Sequence, residues 1–317
     1  MRVGLIGLGV MGRNHLRVLQ ENPAVSKIYV FDKQSVILAN PTKVVYCGSL
    51  REMILETPDY VVVALPTAFH LESSLELAAA GVPTLIEKPV ASNLAESEEI
   101  ANAFAANGTV CRVGHVERFN PALRMLKAKV SEGLIGAPLL LSTRRVGPFP
   151  HRINDVGVVR DLASHDIDLT MWLTGQLYED AHSITAKPRG AVHEDIFMAI
   201  GRLADGVTVS HSVNWLTPTK ARETSILGTE GLLVADSLRA ELRYFKNGTE
   251  SSEWGVFTNF RGVSEGEEVR FVVPVREPLA LEHEAMHLEL KSPGSTDICT
   301  IGEGVAVMRL IERILVD

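Results

Sequence analysis

An α/β chain of two domains is predicted, the first built on a doubly wound parallel sheet, the second an α+β unit with a large, open, mostly antiparallel sheet. Three features carry that prediction. The first 119 residues alternate apolar, strand-like runs with helical segments, and a glycine-rich turn joins the first strand to the first helix. From about residue 139 the runs instead alternate apolar and polar residues singly. A length of 317 residues suffices for two cores of this kind.

Residues 2–7 read as a short buried strand, followed by Gly7-x-Gly9-x-x-Gly12 and a helix over Asn14–Asn22 that Asn22-Pro23 ends. A second strand over Lys27–Asp32 closes a βαβ unit of the expected length. Gly7 allows the tight turn, Gly9 lets the backbone approach a pyrophosphate, and Gly12 lets the helix pack against the strand. The helix N-terminus then offers free N–H groups and a positive dipole end to phosphates. Asp32 lies twenty residues beyond Gly12, where a carboxylate accepts hydrogen bonds from the adenine ribose. Loop, flanking elements and spaced acid together predict a Rossmann dinucleotide-binding domain. A carboxylate at Asp32 favours NAD by repelling the extra phosphate of NADP, while the adjacent Lys33 leaves NADP open.

Tyr60–Leu65 is a continuous apolar run, the mark of a parallel strand covered on both faces. It runs into Pro66-Thr67 and a helix over about 68–80, stopped by Gly81. Thr84–Ile86 is the next strand, with Glu87-Lys88-Pro89 at its carboxyl end. Ligands of open α/β sheets bind outside those carboxyl ends, so Pro66, Thr67, His70 and Lys88 should line one crevice. The expected cofactor set is therefore Gly7, Gly9, Val10, Met11, Gly12, Asp32, Pro66, Thr67, His70, Glu87 and Lys88. A helix over 93–106 and a strand over Val110–Val113 complete the domain. The chain leaves through residues 114–121, and Asn120-Pro121 has the form of a helix start. The boundary is placed there: residues 1–119 bind the cofactor, and residues 120–317 carry substrate binding and oligomerisation, with the final helix expected to pack back on the first domain.

After a helix over Pro121–Glu132, strands are expected over 139–146, 182–187, 196–203, 207–213, 224–228 and 269–275. Alternation such as Val207-x-Val209-x-His211-x-Val213 describes a sheet with one packed and one open face. A partner subunit would cover an open face of that size. Between the first two strands lies one helix, 157–173, with Asp161 and His165 one turn apart and Asp168 three residues on.

Oxidising an alcohol requires a base near neutral pKa for the hydroxyl proton and a group that steadies the developing alkoxide. His165 is the natural base, Asp161 its orienting partner, and Lys88 a positive charge for the oxygen. The lysine and histidine roles are interchangeable on sequence grounds. Asp168 either extends the array or pairs within the helix.

Composition excludes other classes. The net charge of −8 argues against nucleic-acid binding. Three scattered cysteines provide neither a disulfide framework nor a metal knuckle, which suits a reducing cytoplasm. No run approaches a membrane span, and Met1–Ile6 enters a strand at once, so no signal peptide is expected and the sequons at Asn107 and Asn247 should be unmodified. His283-Glu284-Ala285-Met286-His287 matches the metalloprotease pattern, with Glu303 as an improvised third ligand. A solvated helix face is the expected reading of that stretch.

The glycine loop, Glu87-Lys88-Pro89 and Asp161-x-x-x-His165-x-x-Asp168 together resemble the Gfo/Idh/MocA family of NAD(P)-dependent sugar and cyclitol dehydrogenases over nearly the whole chain. The resemblance implies Lys88, Asp161 and His165 as the catalytic trio, and a homodimer or homotetramer formed through the C-terminal sheet. Residues 114–121, Arg144–Pro148 and Asn214–Lys220 resemble, more narrowly, the branch that oxidises UDP-N-acetylglucosamine at its 3-hydroxyl. A nucleotide-sugar would draw on Lys88, His115, Arg118, Asn120, Arg144, Arg145, Arg152, His165 and Trp215: arginines for the diphosphate, Trp215 for a ring. The competing reading has His115 and Arg118 pair with acids such as Glu117, the other arginines pair with Asp155 and Asp161, and Trp215 fill a core. Myo-inositol and free sugars are alternative substrates, and a non-catalytic NAD-dependent sensor is the alternative from another class.

Overall fold

The computed structural model describes residues 1–34, 43–150, 156–190, 192–248 and 266–316. The chain divides into two compact units, Met1–Phe119 with Glu277–Arg313, and Asn120–Arg276 with Ile314–Asp317.

The first unit is built on β1 (Arg2–Ile6), β2 (Lys27–Phe31), β3 (Val44–Tyr46), β4 (Tyr60–Val63), β5 (Thr84–Glu87) and β6 (Cys111–Gly114), all parallel. Their spatial order, β6-β5-β4-β1-β2-β3, reverses direction between β1 and β4, the switch point at which such sheets bind ligands. Helices α1 (Val10–Glu21), α2 (Leu50–Leu55), α3 (His70–Ala79) and α4 (Leu94–Ala106) make the crossovers. Apolar residues cover both faces: Val61, Val63 and Ile86 pack into one core, Val3, Leu5 and Val62 into the other. Continuous β-branched runs therefore read correctly as doubly covered strands. The chain returns to this unit through α7 (Pro278–Lys291), whose Ala285 and Met286 join the second of those cores.

The second unit opens with α5 (Pro121–Ser131), capped by the Asn120 side chain on the Ala122 N–H at 3.0 Å. Eight strands follow: β7 (Pro138–Val146), β8 (Tyr178–Ala186), β9 (Ile196–Leu203), β10 (Thr208–Asn214), β11 (Ala221–Gly228), β12 (Gly231–Asp236), β13 (Glu241–Lys246) and β14 (Glu268–Phe271). They lie in the order β14-β13-β12-β11-β7-β10-β9-β8, antiparallel except for the β7–β10 pair. Leu141, Val209, Ile226 and Leu233 on one face pack against α5 and against Leu169 and Trp172 of α6 (Ser164–Thr174). On the other face Ile184, Met198 and Ile200 are exposed in a cross-strand row. The first unit's sheet gains β15 (Cys299–Thr300) antiparallel to β6, and α8 (Ile301–Val316) ends the chain, its residues through Arg313 belonging to that unit.

Candidate active site

In the first unit the glycine loop is shaped as its spacing requires. Gly7 sits at φ +91°, and a Cβ there would lie 2.6 Å from the Ala64 carbonyl oxygen. A Cβ on Gly12 would meet the Gly7 oxygen at 1.9 Å. Nothing stands within 4 Å of a Cβ built on Gly9, so the loop is open where a pyrophosphate would approach. Helix α1 starts at Val10 with no side-chain cap, leaving its first N–H groups for an anion. The Asp32 carboxylate accepts the Leu8 N–H at 2.6 Å and the Gln34 N–H at 2.7 Å, tying the end of β2 to the loop. Lys33 Nζ lies 5.2 Å from the centroid of the Phe69 ring. An open cradle, an uncapped helix and an anchored acid fit a dinucleotide.

Beyond β4, Pro66 is exposed and Thr67 opens a single 3-10 turn before α3. His70 departs from its expected role: it is buried, with Nε2 2.9 Å from the Leu65 oxygen and Nδ1 3.0 Å from that of Pro89, so it braces two loops and presents no ring nitrogen to a cofactor. Glu87 is also inward. One oxygen meets His15 Nε2 at 2.8 Å, the other accepts the Lys88 backbone N–H at 3.2 Å. Lys88 is half-buried at the carboxyl end of β5.

In the second unit Asp161 and His165 are both half-buried, at the join of a π-helical turn, Val159–Ala163, and α6. An ordinary helix was expected through this stretch. The wide turn is the kind of irregularity found at functional sites. Its start is held by Glu194, whose carboxylate accepts the Val159 N–H at 3.0 Å and whose carbonyl accepts that of Val158 at 3.0 Å. Gly157 makes room, since a Cβ there would lie 2.0 Å from the Glu194 carboxylate. Nothing local in the sequence connects Glu194 to a helix thirty-five residues away. Asp168 is fully buried on α6.

Several expected substrate groups have structural employment. Arg118 is buried and paired with Glu303 at 3.1 Å, and Asn120 caps α5 while donating to the Ser237 carbonyl at 3.0 Å. Arg145 is buried against Asp166 at 2.9 Å, the acid next to His165. Neighbouring strand residues point to opposite faces, so Arg144, which is exposed, lies on the open face and away from α6. Trp215 offers no stacking surface: it is buried, donates Nε1–H to Asp195 at 2.7 Å, and packs edge-on to Phe149. His115 is buried at the end of β6. Arg152 and Asp155 lie outside the described residues. The 283–287 stretch is no solvated face, because His283 is buried with Nδ1 on the Tyr60 hydroxyl and Nε2 on His15. With both ring nitrogens so engaged, the metalloprotease reading loses its first ligand.

Residues 1–115 match the family described as "Oxidoreductase family, NAD-binding Rossmann fold", and residues 123–234 match its partner, the "GFO/IDH/MocA C-terminal domain". The chain belongs to the GFO/IDH/MocA family. It is an oxidoreductase with an NAD-binding Rossmann domain. Within this family it is 29% identical over 253 residues to the UDP-N-acetylglucosamine 3-dehydrogenase of Acidithiobacillus ferrooxidans, covering 78% of each chain. The solved structure of that enzyme superposes with a TM-score of 0.83 at 24% identity, over 100% of this chain and 97% of that one. An inositol 2-dehydrogenase of Acidiphilium cryptum is 31% identical over 204 residues, 61% of this chain and 59% of its own.

Proposed function

We propose that this GFO/IDH/MocA protein is an NAD-dependent dehydrogenase that converts a secondary hydroxyl of a sugar or nucleotide-sugar to a ketone, with the 3-hydroxyl of UDP-N-acetylglucosamine as first candidate. The observation that carries this reading is the position of Lys88 at the carboxyl end of β5, the same edge of the sheet as the glycine loop and Asp32. When bound, the dinucleotide supplies the hydride acceptor. Gly7, Gly9, Val10, Met11 and Gly12 cradle its phosphates, Pro66 and Thr67 flank it, and Asp32 selects NAD by charge. His165 takes the hydroxyl proton, Asp161 orients the imidazole, and the Lys88 ammonium steadies negative charge on the oxygen.

The name of the Acidithiobacillus relative supports the nucleotide-sugar. A free cyclitol is the second reading, favoured by the burial of Arg118 and Arg145 in ion pairs, which removes two of the cations expected for a diphosphate, and by the inositol dehydrogenase relative. We also place the working enzyme in a reducing, cytoplasmic setting as a homo-oligomer formed through the open sheet face. The test is a panel of UDP-sugars, myo-inositol and free hexoses with NAD and with NADP, read at the absorbance of the reduced nicotinamide. Turnover with UDP-N-acetylglucosamine and NAD is the expected result. Turnover with myo-inositol alone would select the cyclitol, and cofactor binding without any turnover would make the protein a sensor.

A further inference from the structure

Behind Lys88 the first unit contains a buried polar chain that cofactor binding does not require. The Tyr60 hydroxyl lies 2.8 Å from His283 Nδ1, His283 Nε2 lies 2.9 Å from His15 Nδ1, and His15 Nε2 lies 2.8 Å from Glu87 Oε1. The remaining Glu87 oxygen accepts the Lys88 N–H. Gly114 pairs with Glu87 across β5 and β6, and a Cβ on it would stand 3.1 Å from Glu87 Oε1, so the carboxylate is seated where a larger neighbour would crowd it.

We propose that His15, backed by His283 and Tyr60, is a positioning residue: it fixes the Glu87 carboxylate, and through the Glu87 bond to the Lys88 N–H it fixes the backbone that aims Lys88. The inference rests on the assignment of Lys88 to the chemistry.

With Glu87 ionised, two proton arrangements satisfy every bond, and both place a proton on His15 Nε2 that is donated to Glu87. Tyr60 is fully buried, which pushes its phenol pKa up and keeps it neutral, able to donate or to accept. In one arrangement His15 is neutral, and His283 accepts at Nδ1 from Tyr60 and donates its Nε2–H to His15 Nδ1; in the other His15 is an imidazolium that donates its Nδ1–H to His283 Nε2, and the His283 Nδ1–H goes to Tyr60. Burial, with the His15 ring, pushes the His283 pKa well down, so that ring is neutral. Burial alone would raise the Glu87 pKa, but the His15 hydrogen bond and the charges of His15, Lys88 and His70 hold it below the usual carboxylate range. The contrast is Glu282 on α7, also buried, with no hydrogen-bond partner on either oxygen among the described residues. Burial and the Glu87 charge raise its pKa well above the ordinary value, and it keeps its proton. Of two buried carboxyls in one core, the ionised one is the one at the end of the donor chain, and it precedes Lys88. A core that needed only to be filled would be served as well by apolar side chains.

The test has two arms on the 317-residue chain. In the first, imidazole nitrogen-15 NMR of the wild type with NAD should show His15 protonated at Nε2, with His283 neutral from about pH 6 to about pH 9. In the second, His15→Leu should lower kcat about 10- to 100-fold while leaving the NAD Kd within about threefold, and His15→Gln, which keeps a donor for Glu87, should recover most of the rate. An Nδ1–H tautomer at His15, a His283 ring that titrates near the ordinary histidine value, or a fully active His15→Leu beside an inactive Lys88→Ala overturns the proposal. An active Lys88→Ala would instead remove the assignment beneath it. Should His15→Leu fail to fold, the wild-type tautomers still decide.

Discussion

An acid that binds a ligand and an acid that braces a loop are usually different residues, but both tasks fall to Asp32 under the proposed function. Its carboxylate already accepts the Leu8 N–H at 2.6 Å, so removing it loosens the glycine loop as well as deleting the proposed ribose acceptor. Asp32→Ala should raise the NAD Kd by about tenfold or more and narrow the preference over NADP, measured by cofactor titration. Glu282 gives a pH-dependent prediction. Its folded pKa is raised, so the stability linked to its proton is complete below the unfolded value and is lost as pH rises through the folded one. Glu282→Gln should therefore raise Tm at pH 8 relative to wild type, with the gain vanishing towards the unfolded carboxylate pKa. Equal Tm differences at both ends would refute it. At this scale the sequence was most legible where geometry is local, as at Gly7, Gly12 and the Asn120 cap. It misled where a partner lies far along the chain: Arg118 and Glu303, or Tyr60 and His283, meet only through the fold.

Helix α1 shows how an element's function can hide its boundary. A start at Asn14 was expected, but the helix begins at Val10, because the Ser, Thr or Asp that would announce it is missing and the end is left for an anion. Gly12→Val should abolish NAD binding while the second unit retains its fold, since any Cβ there meets the Gly7 oxygen at 1.9 Å. The π-helical turn at Asp161 was equally invisible, as it depends on Glu194 from another loop. Glu194→Ala should cost about 1 kcal/mol of stability, in the range of a lost helix cap, and reduce kcat more than it changes the NAD Kd. Strand β12 went unpredicted because Gly231–Asp236 is largely buried and shows no polar alternation, and β13 went unpredicted although Glu241–Lys246 does alternate. On the packed face of that sheet, His211 sits between the Thr143 and Tyr178 hydroxyls, each at 2.7 Å. Burial pushes its pKa down to about 4, so the folded state resists its protonation. The neutral ring costs nothing above the unfolded histidine pKa, and stability falls as pH drops through about 6.5 towards 4, a loss of about 3 kcal/mol. His211→Gln should flatten the acid limb of a Tm-against-pH curve. An unchanged limb would assign it to other groups.

For the whole molecule, the order of runs along the chain foretold a parallel sheet followed by a mostly antiparallel one, because periodicity reports which faces are covered. The return to the first domain was expected of the final helix alone; that α7 also belongs with the first unit was not foretold, since an amphipathic helix does not name its partner. The exposed row Ile184, Met198 and Ile200 leaves the second unit with an apolar face that a second copy would cover. Light scattering should give at least twice the chain mass of 34.6 kDa, and Ile200→Lys should lower it. A monomeric wild type would contradict the oligomer.

The central claim, that Lys88 serves hydride transfer from the hydroxyl-bearing carbon of a sugar to a bound nicotinamide, is tested most directly by comparing wild type with Lys88→Ala in two measurements, NAD affinity and NADH formation on the preferred sugar. The account predicts unchanged affinity, within about threefold, and turnover slower by about a hundredfold or more. Equal rates in the two proteins, or a wild type that binds no pyridine nucleotide, would contradict it.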